Sequence, residues 1–299
     1  MYWVVYNQLL AMLKFFKFLL IILLSLIFSF GMCQDEDEKP KKKKKEQETE
    51  DVKLGKYHFQ YHTIVKILPR DCKDSRTDQT LYGLNIAEEK ALHGITISEQ
   101  DETEVGEEVF KCIKQNAIFM YGEEFNRVKA IFNKMIPFLT RKKLKYEIFV
   151  IDVPFENAFA CPGGRMYVTL PLLKKMNDNQ LANIIGHEIC HLEQKHCNVH
   201  LKYRKLMGNS LSSILNILTK GLGQRDELEA DLGGLYLAYS AGYDPAVATE
   251  AFKRWSINDK PSFSDKIFRS HPYCAERVNC IDAYLKEAKR NADGLNSIQ

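Results

Sequence analysis

The pentapeptide His187-Glu-Ile-Cys-His191 constrains this chain more than any other stretch of it. Residues four apart share one face of an α-helix, so two helical imidazoles at this spacing can grip a single metal ion. Glu188 follows one residue on, about 100° round the helix axis. It is near the metal face yet displaced enough to leave room for a water, which puts a carboxylate where a general base works. The flanking residues also predict a helix. Asn177-x-x-Gln180 reads as a capping box, and the run from Leu181 to His196 follows it. The bland alternative is a helix carrying two ordinary histidines.

A catalytic zinc takes three protein ligands and keeps one position open. The predicted third ligand is Glu227, in the run Asp226-Glu-Leu-Glu-Ala-Asp231. Glu227 and Asp231 are again four apart, so one helical face offers two carboxylates. Glu227 is placed to reach the metal, and Asp231 to accept a hydrogen bond from a ligand histidine and fix its tautomer. Glu229 is the rival ligand; it points away from Asp231 and is expected in solvent. Against all of these stands the reading of the run as a charged, solvated face. A third histidine at 197 after a glycine at 194 is excluded, because those positions hold Gln194 and Cys197. His196 is off register and is assigned a structural role.

Around these motifs the sequence predicts one mostly helical domain with a few strands, residues 54–299, without repeats or a long linker. Residues 104–120 and 122–138 carry apolar side chains at helical spacing, for example Val128, Ile131, Phe132 and Met135. Then the period changes. Tyr146–Val153 is rich in β-branched and aromatic residues and reads as a strand, and Arg165–Leu170 as a second, entered through the Pro162-Gly163-Gly164 turn. Further helices are expected from about 177, at 226–241, 245–256 and 272–290.

The first 53 residues are not expected to join the fold. Phe18–Gln34 is an uncharged run of 17 residues behind Lys14 and Lys17. Residues 1–33 therefore read as a signal peptide or a single membrane anchor, with the apolar run at the lower limit for spanning a bilayer. Residues 34–53 read as a disordered charged tether. Its run Lys41–Lys45 could meet anionic headgroups, although eight neighbouring acids oppose that. A formal net charge of +3 is too small an imbalance to suggest nucleic acid. Eight cysteines without a C-x-x-C pair argue against a zinc knuckle and leave the redox compartment open.

Several elements together resemble a known family. They are Asn157-Ala-Phe-Ala-Cys-Pro-Gly-Gly164, His187-Glu-x-x-His191 with His196, Glu227-x-Glu-Ala-Asp231-x-x-Gly234, Ala241-Gly-Tyr-Asp-Pro245, and Ser270-His-Pro272 with Arg277. In this order they are similar to the HtpX, BepA and Oma-type zinc endopeptidases of peptidase family M-48, over roughly residues 85–280. The resemblance implies an α+β zincin fold whose metal helix lies under a small sheet, with the sheet's edge strand bordering the cleft. That strand is expected at Arg165–Leu170, with Gly164, Arg165, Met166 and Tyr167 lining the substrate path. It also implies that His271 approaches the metal, as an oxyanion donor or as a fourth ligand that closes the site. The plainer reading of His271 is a cap on the helix opened by Pro272. Cys161 and Cys190 depart from the family pattern and read as buried apolar side chains, though thiols so near a metal leave redox inhibition open.

The resulting expectation is one zinc ion per chain and hydrolysis of internal peptide bonds in unfolded or misassembled proteins. Glu188 would serve as base, and His271 or Tyr167 would steady the oxyanion. A tethered chaperone or adaptor with a structural or self-inhibited zinc site is the alternative. The compartment is either the secretory route or, by the Oma-type likeness, the mitochondrial inner membrane, and the oligomeric state is open.

Overall fold

The change of hydrophobic period along the chain marks the change from helix to sheet. The computed structural model describes residues 92–207, 222, 224–250 and 275–296. The predicted targeting segment, the tether and His271 lie outside the described residues. Helix α1 (Glu99–Asn116) opens on a capping box between Ser98 and Asp101, and strand β1 (Ile118–Met120) follows. Helix α2 (Glu123–Met135) buries the expected stripe of Val128, Ile131, Phe132 and Met135. Next come β2 (Glu147–Asp152), β3 (Ala158–Cys161), β4 (Arg165–Thr169) and the short α3 (Leu170–Lys175). Helices α4 (Asp178–Glu193), α5 (Asn198–Met207), α6 (Gln224–Ser240) and α7 (Ala275–Asn296) complete the order. The capping box predicted at Asn177 is formed with Gln180, as its spacing requires.

The four strands form one mixed sheet in the order β1-β2-β4-β3, with β2 parallel to β4 and the other pairs antiparallel. Alternation along the strands sorts the core into two layers. Ile148, Val150, Met166 and Val168 face α2 and α4, joined by Ala158 from β3. Ile151 and Tyr167 face the other way, against Val105 and Val109 of α1 and Leu201 of α5.

Three expectations change here. The strand at Arg165–Thr169 is not at an edge. It is flanked by β2 and β3, and all five of its residues are buried, so its main-chain groups are already paired. Gly164, Arg165, Met166 and Tyr167 are consequently interior and do not line an open path. Arg165 pairs with Glu107 and Glu147, and the Tyr167 ring lies between Phe149 and Phe159, at 5.4 and 5.1 Å. The edge strand beside α4 is β3, whose two alanines carry little strand propensity and gave no periodic signal. The helix expected to run to 120 stops at Asn116, because Ile118, Phe119 and Met120 pair with β2 instead. At 245 the chain enters a 3-10 turn capped by Asp244, and the expected helix beyond 250 lies outside the described residues.

Helices α4 and α6 cross at backbone contact. A Cβ on Gly186 would meet the Gly234 carbonyl oxygen at 2.6 Å, and one on Gly234 would meet the His187 nitrogen at 2.6 Å. Both obstacles are backbone, so neither can swing aside. Gly234→Ala is therefore expected to destabilise the protein by about 1–3 kcal/mol through overpacking, read as a lower midpoint in urea. An unchanged midpoint would mean that the helices separate without cost.

Candidate active site

The crossing brings the sequence-predicted residues of α4 and α6 together. His187, Glu188 and His191 are buried on α4, and Glu227 and Asp231 on α6. The Nε2 atoms of His187 and His191 lie 3.0 Å apart. Glu227 places Oε2 at 3.5 Å from the first and Oε1 at 3.7 Å from the second. All three donors fall within 4.8 Å of one another, and they are the one such cluster among the described residues. Two imidazole nitrogens and a carboxylate form a donor set found in catalytic zinc sites, so the residues present fit that ion.

The remaining nitrogen of His187, Nδ1, is 2.9 Å from Asp231 Oδ1. Arg277, reaching in from α7, donates to both Asp231 oxygens at 2.7 and 2.6 Å and lies 3.0 Å from Glu227 Oε2. Burial alone would push the Asp231 carboxyl up, but Arg277, with His187, more than reverses this and holds it below its ordinary value. For His187, burial disfavours the charged ring, while hydrogen bonds to Asp231 and Glu227 overcome that and raise its pKa. Sequence spacing could not assign Arg277 this task, since it acts on Asp231 from 46 residues away.

Glu188 faces the sheet. The main-chain N–H of Ala160 on β3 donates to its Oε2 at 2.9 Å, so the predicted base is tied to the edge strand. Tyr167 lies on the opposite face of the sheet from α4, which removes it as an oxyanion donor here. Glu229 is not in solvent as expected: it is partly buried, and its Oε2 sits 3.3 Å from His196 Nε2. Cys161 and Cys190 are buried, as read from the sequence.

Residues 123–285, more than half of the chain, match the family described as Peptidase family M48. The chain belongs to peptidase family M48. Its M48 region is similar to the mitochondrial metalloendopeptidase OMA1 of Schizosaccharomyces pombe, 28% identical over 181 residues, covering 54% of this chain and 53% of that protein. Against the mitochondrial metalloendopeptidase OMA1 of Homo sapiens it is 26% identical over 194 residues, covering 55% and 36%. A protease HtpX homolog of Sulfurisphaera tokodaii is 35% identical over 157 residues, covering 48% and 50%. The chain thus spans about half the length of these M48 relatives, or less.

Replacing Arg277 by Met would leave two buried carboxylates without their cation, at an expected cost of about 3–5 kcal/mol in thermal or urea unfolding. The sign of the pH dependence follows from the lowered Asp231. A depressed carboxyl contributes stability that is fully present above its ordinary value of 3.8 and is lost as pH falls through the lower folded value. In Arg277→Met burial pushes the Asp231 carboxyl up, so the gap between wild type and variant should narrow as pH falls from the raised value in the variant to the lowered value in the wild type. A gap independent of pH would mean that Arg277 acts by packing alone.

Proposed function

We propose that this chain is a zinc-dependent metalloendopeptidase that hydrolyses internal peptide bonds, with one zinc per chain held by His187, His191 and Glu227. The observation that carries the reading is the meeting of these three buried donors beside Glu188, which is itself tied to the edge strand β3. A zinc ion there would supply Lewis-acid polarisation of the scissile carbonyl and bring the pKa of its water toward about 7. Glu188 accepts the proton of the attacking water on its carboxylate and returns it to the leaving amine. Asp231 fixes the Nδ1–H tautomer of His187, and Arg277 keeps Asp231 ionised and holds Glu227 in place. In this proposal the oxyanion is steadied by His271. A structural zinc site would use four protein ligands and have no need of a base, which speaks against the chaperone or adaptor reading.

The substrate is proposed to bind as an added strand on β3. In the β3–β4 ladder Asn157 pairs through its carbonyl with Thr169, so Ala158 and Ala160, out of step with it, direct their main-chain groups outward. The Ala160 N–H serves Glu188 and the Ala160 carbonyl lies 3.9 Å from Cys197 Sγ, so the added strand would pair at Ala158. An extended segment paired there would lie beside Glu188 with loose side-chain preference. Unfolded or misassembled proteins at a membrane suit such a site as clients. Residues 1–33 are proposed as the membrane-targeting element. The OMA1 relatives carry mitochondrial names, which favours a mitochondrial location over the secretory route; the inner membrane is the site that the Oma-type resemblance implies. Among the described residues no helix is long and apolar enough to cross a membrane.

Cleavage of casein by the full chain, with zinc content determined, tests the proposal. Glu188→Gln is expected to keep its zinc and lose about 10²–10⁴-fold in kcat/KM; persistent cleavage would place the base elsewhere. Ala160→Pro removes an N–H that serves Glu188 and not the β ladder, a placement that edge strands tolerate. Its kcat/KM should fall about tenfold with zinc content unchanged.

A further inference from the structure

The chain leaves α4 through a turn of unusual residue choice. Gln194 N–H donates to the Cys190 carbonyl at 2.9 Å, Lys195 N–H to Leu192 at 3.3 Å, and His196 N–H returns to the His191 carbonyl at 3.0 Å. This is a Schellman ending, in which the residue after the cap adopts the left-handed conformation that glycine takes most easily. Here that residue is Lys195, with φ of 61°, the one non-glycine at positive φ among the described residues. The strain of such a residue is on the order of 1 kcal/mol. It folds the chain back so that the residue following Lys195 lies directly beside His191.

That residue is His196, and its contacts define a chain of polar groups. The His191 and His196 Nδ1 atoms are 2.8 Å apart, the rings inclined at 72°. On its far side His196 Nε2 lies 3.3 Å from Glu229 Oε2 and 4.0 Å from Asp226 Oδ1. Both histidines are buried, whereas Glu229 is partly exposed. The hydrogen placement follows from chemistry. His191 presents Nε2 to the donor cluster, and an imidazole nitrogen binds a cation only when it carries no proton. The ring proton of His191 therefore sits on Nδ1 and is donated to His196 Nδ1. His196 must then carry its own proton on Nε2, where a carboxylate accepts it.

We infer that His196 and Glu229 form an imidazole–carboxylate brace that sets the tautomer and orientation of His191, making them positioning residues for the metal centre. The inference rests on the metal-centre reading above and deepens it. The two ligand histidines are thereby held by two carboxylates of the same helix, α6: His187 by Asp231 directly, and His191 by Glu229 through an intervening ring. Glu229, the rival metal ligand in sequence terms, is a ligand to the ligand's partner. The role assigned to His196 narrows from structural to one aimed at the metal.

The test is zinc affinity of the full chain, by competition with a chromophoric chelator, alongside the thermal unfolding of each chelated protein. His196→Asn keeps an acceptor at the Nδ1 position but loses the link to Glu229, and is expected to weaken zinc about tenfold, as Glu229→Ala does. His196→Leu removes the acceptor as well and should weaken zinc about 100-fold, the upper end of the range seen when partners of metal-ligating histidines are removed. Its chelated form should melt with the Asn variant. Glu229→Ala, at a partly exposed position that folding tolerates, should weaken zinc about tenfold and serves alone if the Leu variant does not fold. Wild-type affinity in His196→Leu or Glu229→Ala would overturn the brace. So would equal losses in the Asn and Leu variants with both chelated proteins destabilised, which would mean packing alone. Because affinity is read apart from cleavage, a zinc-binding but inactive wild type would sink the peptidase proposal and leave the brace standing. A wild type that takes up no zinc would sink both.

Discussion

Two carboxylates buried on one face of α6 are the constraint from which the site is organised. Glu227 and Asp231 are removed from water, and an ion so placed costs several kcal/mol unless it is paired and hydrogen-bonded. Arg277 answers both from α7, and the imidazoles of α4 answer from across the helix crossing. The glycines at that crossing are part of the same arrangement. With a methyl group at either position the two backbones would be pushed apart, and the Glu227 oxygens would move away from the histidine nitrogens they approach. Packing and electrostatics thus meet at one place, where α4 touches α6.

The sheet plays a different part. Its interior strand, β4, is paired on both sides and faces helices above and below, so it serves as a rigid floor and makes no contact with an open cleft. The short outer strand β3 is anchored to that floor on one side. On the other it turns main-chain groups toward α4, where Glu188 takes one of them. The carboxylate proposed as base is thereby registered against the edge of a sheet through a backbone group, which no substitution short of proline removes.

How far the sequence revealed this can be followed residue by residue. The shared face of His187 and His191 was legible because a helix turns spacing directly into direction, and the Asn177 cap fixed where that helix begins. Glu227 and Asp231 were legible for the same reason. The strand Arg165–Thr169 was visible from its composition, but its neighbours were not. Pairing is a tertiary matter, and β3, with two alanines in four residues, carries no pattern to announce itself. Glu229 was misread because helical geometry gives the face a residue occupies and is silent on what covers it; His196 arrives there through a left-handed turn at a lysine. Arg277 lies on a separate helix, beyond the reach of any local rule.

The position of Arg277 also bears on how the protein is made. During synthesis the chain emerges from its beginning, so α4 and α6 are available well before α7. Until α7 docks, Glu227 and Asp231 have no arginine between them, and drawing them into the interior is unfavourable. A nascent chain that already holds His187, His191 and Glu227 would consequently still lack the cation that offsets the burial of its two carboxylates. The last described helix is the completing piece of this ion cluster, so the proposed hydrolytic centre would be finished only after the segments that carry its ligands had left the ribosome.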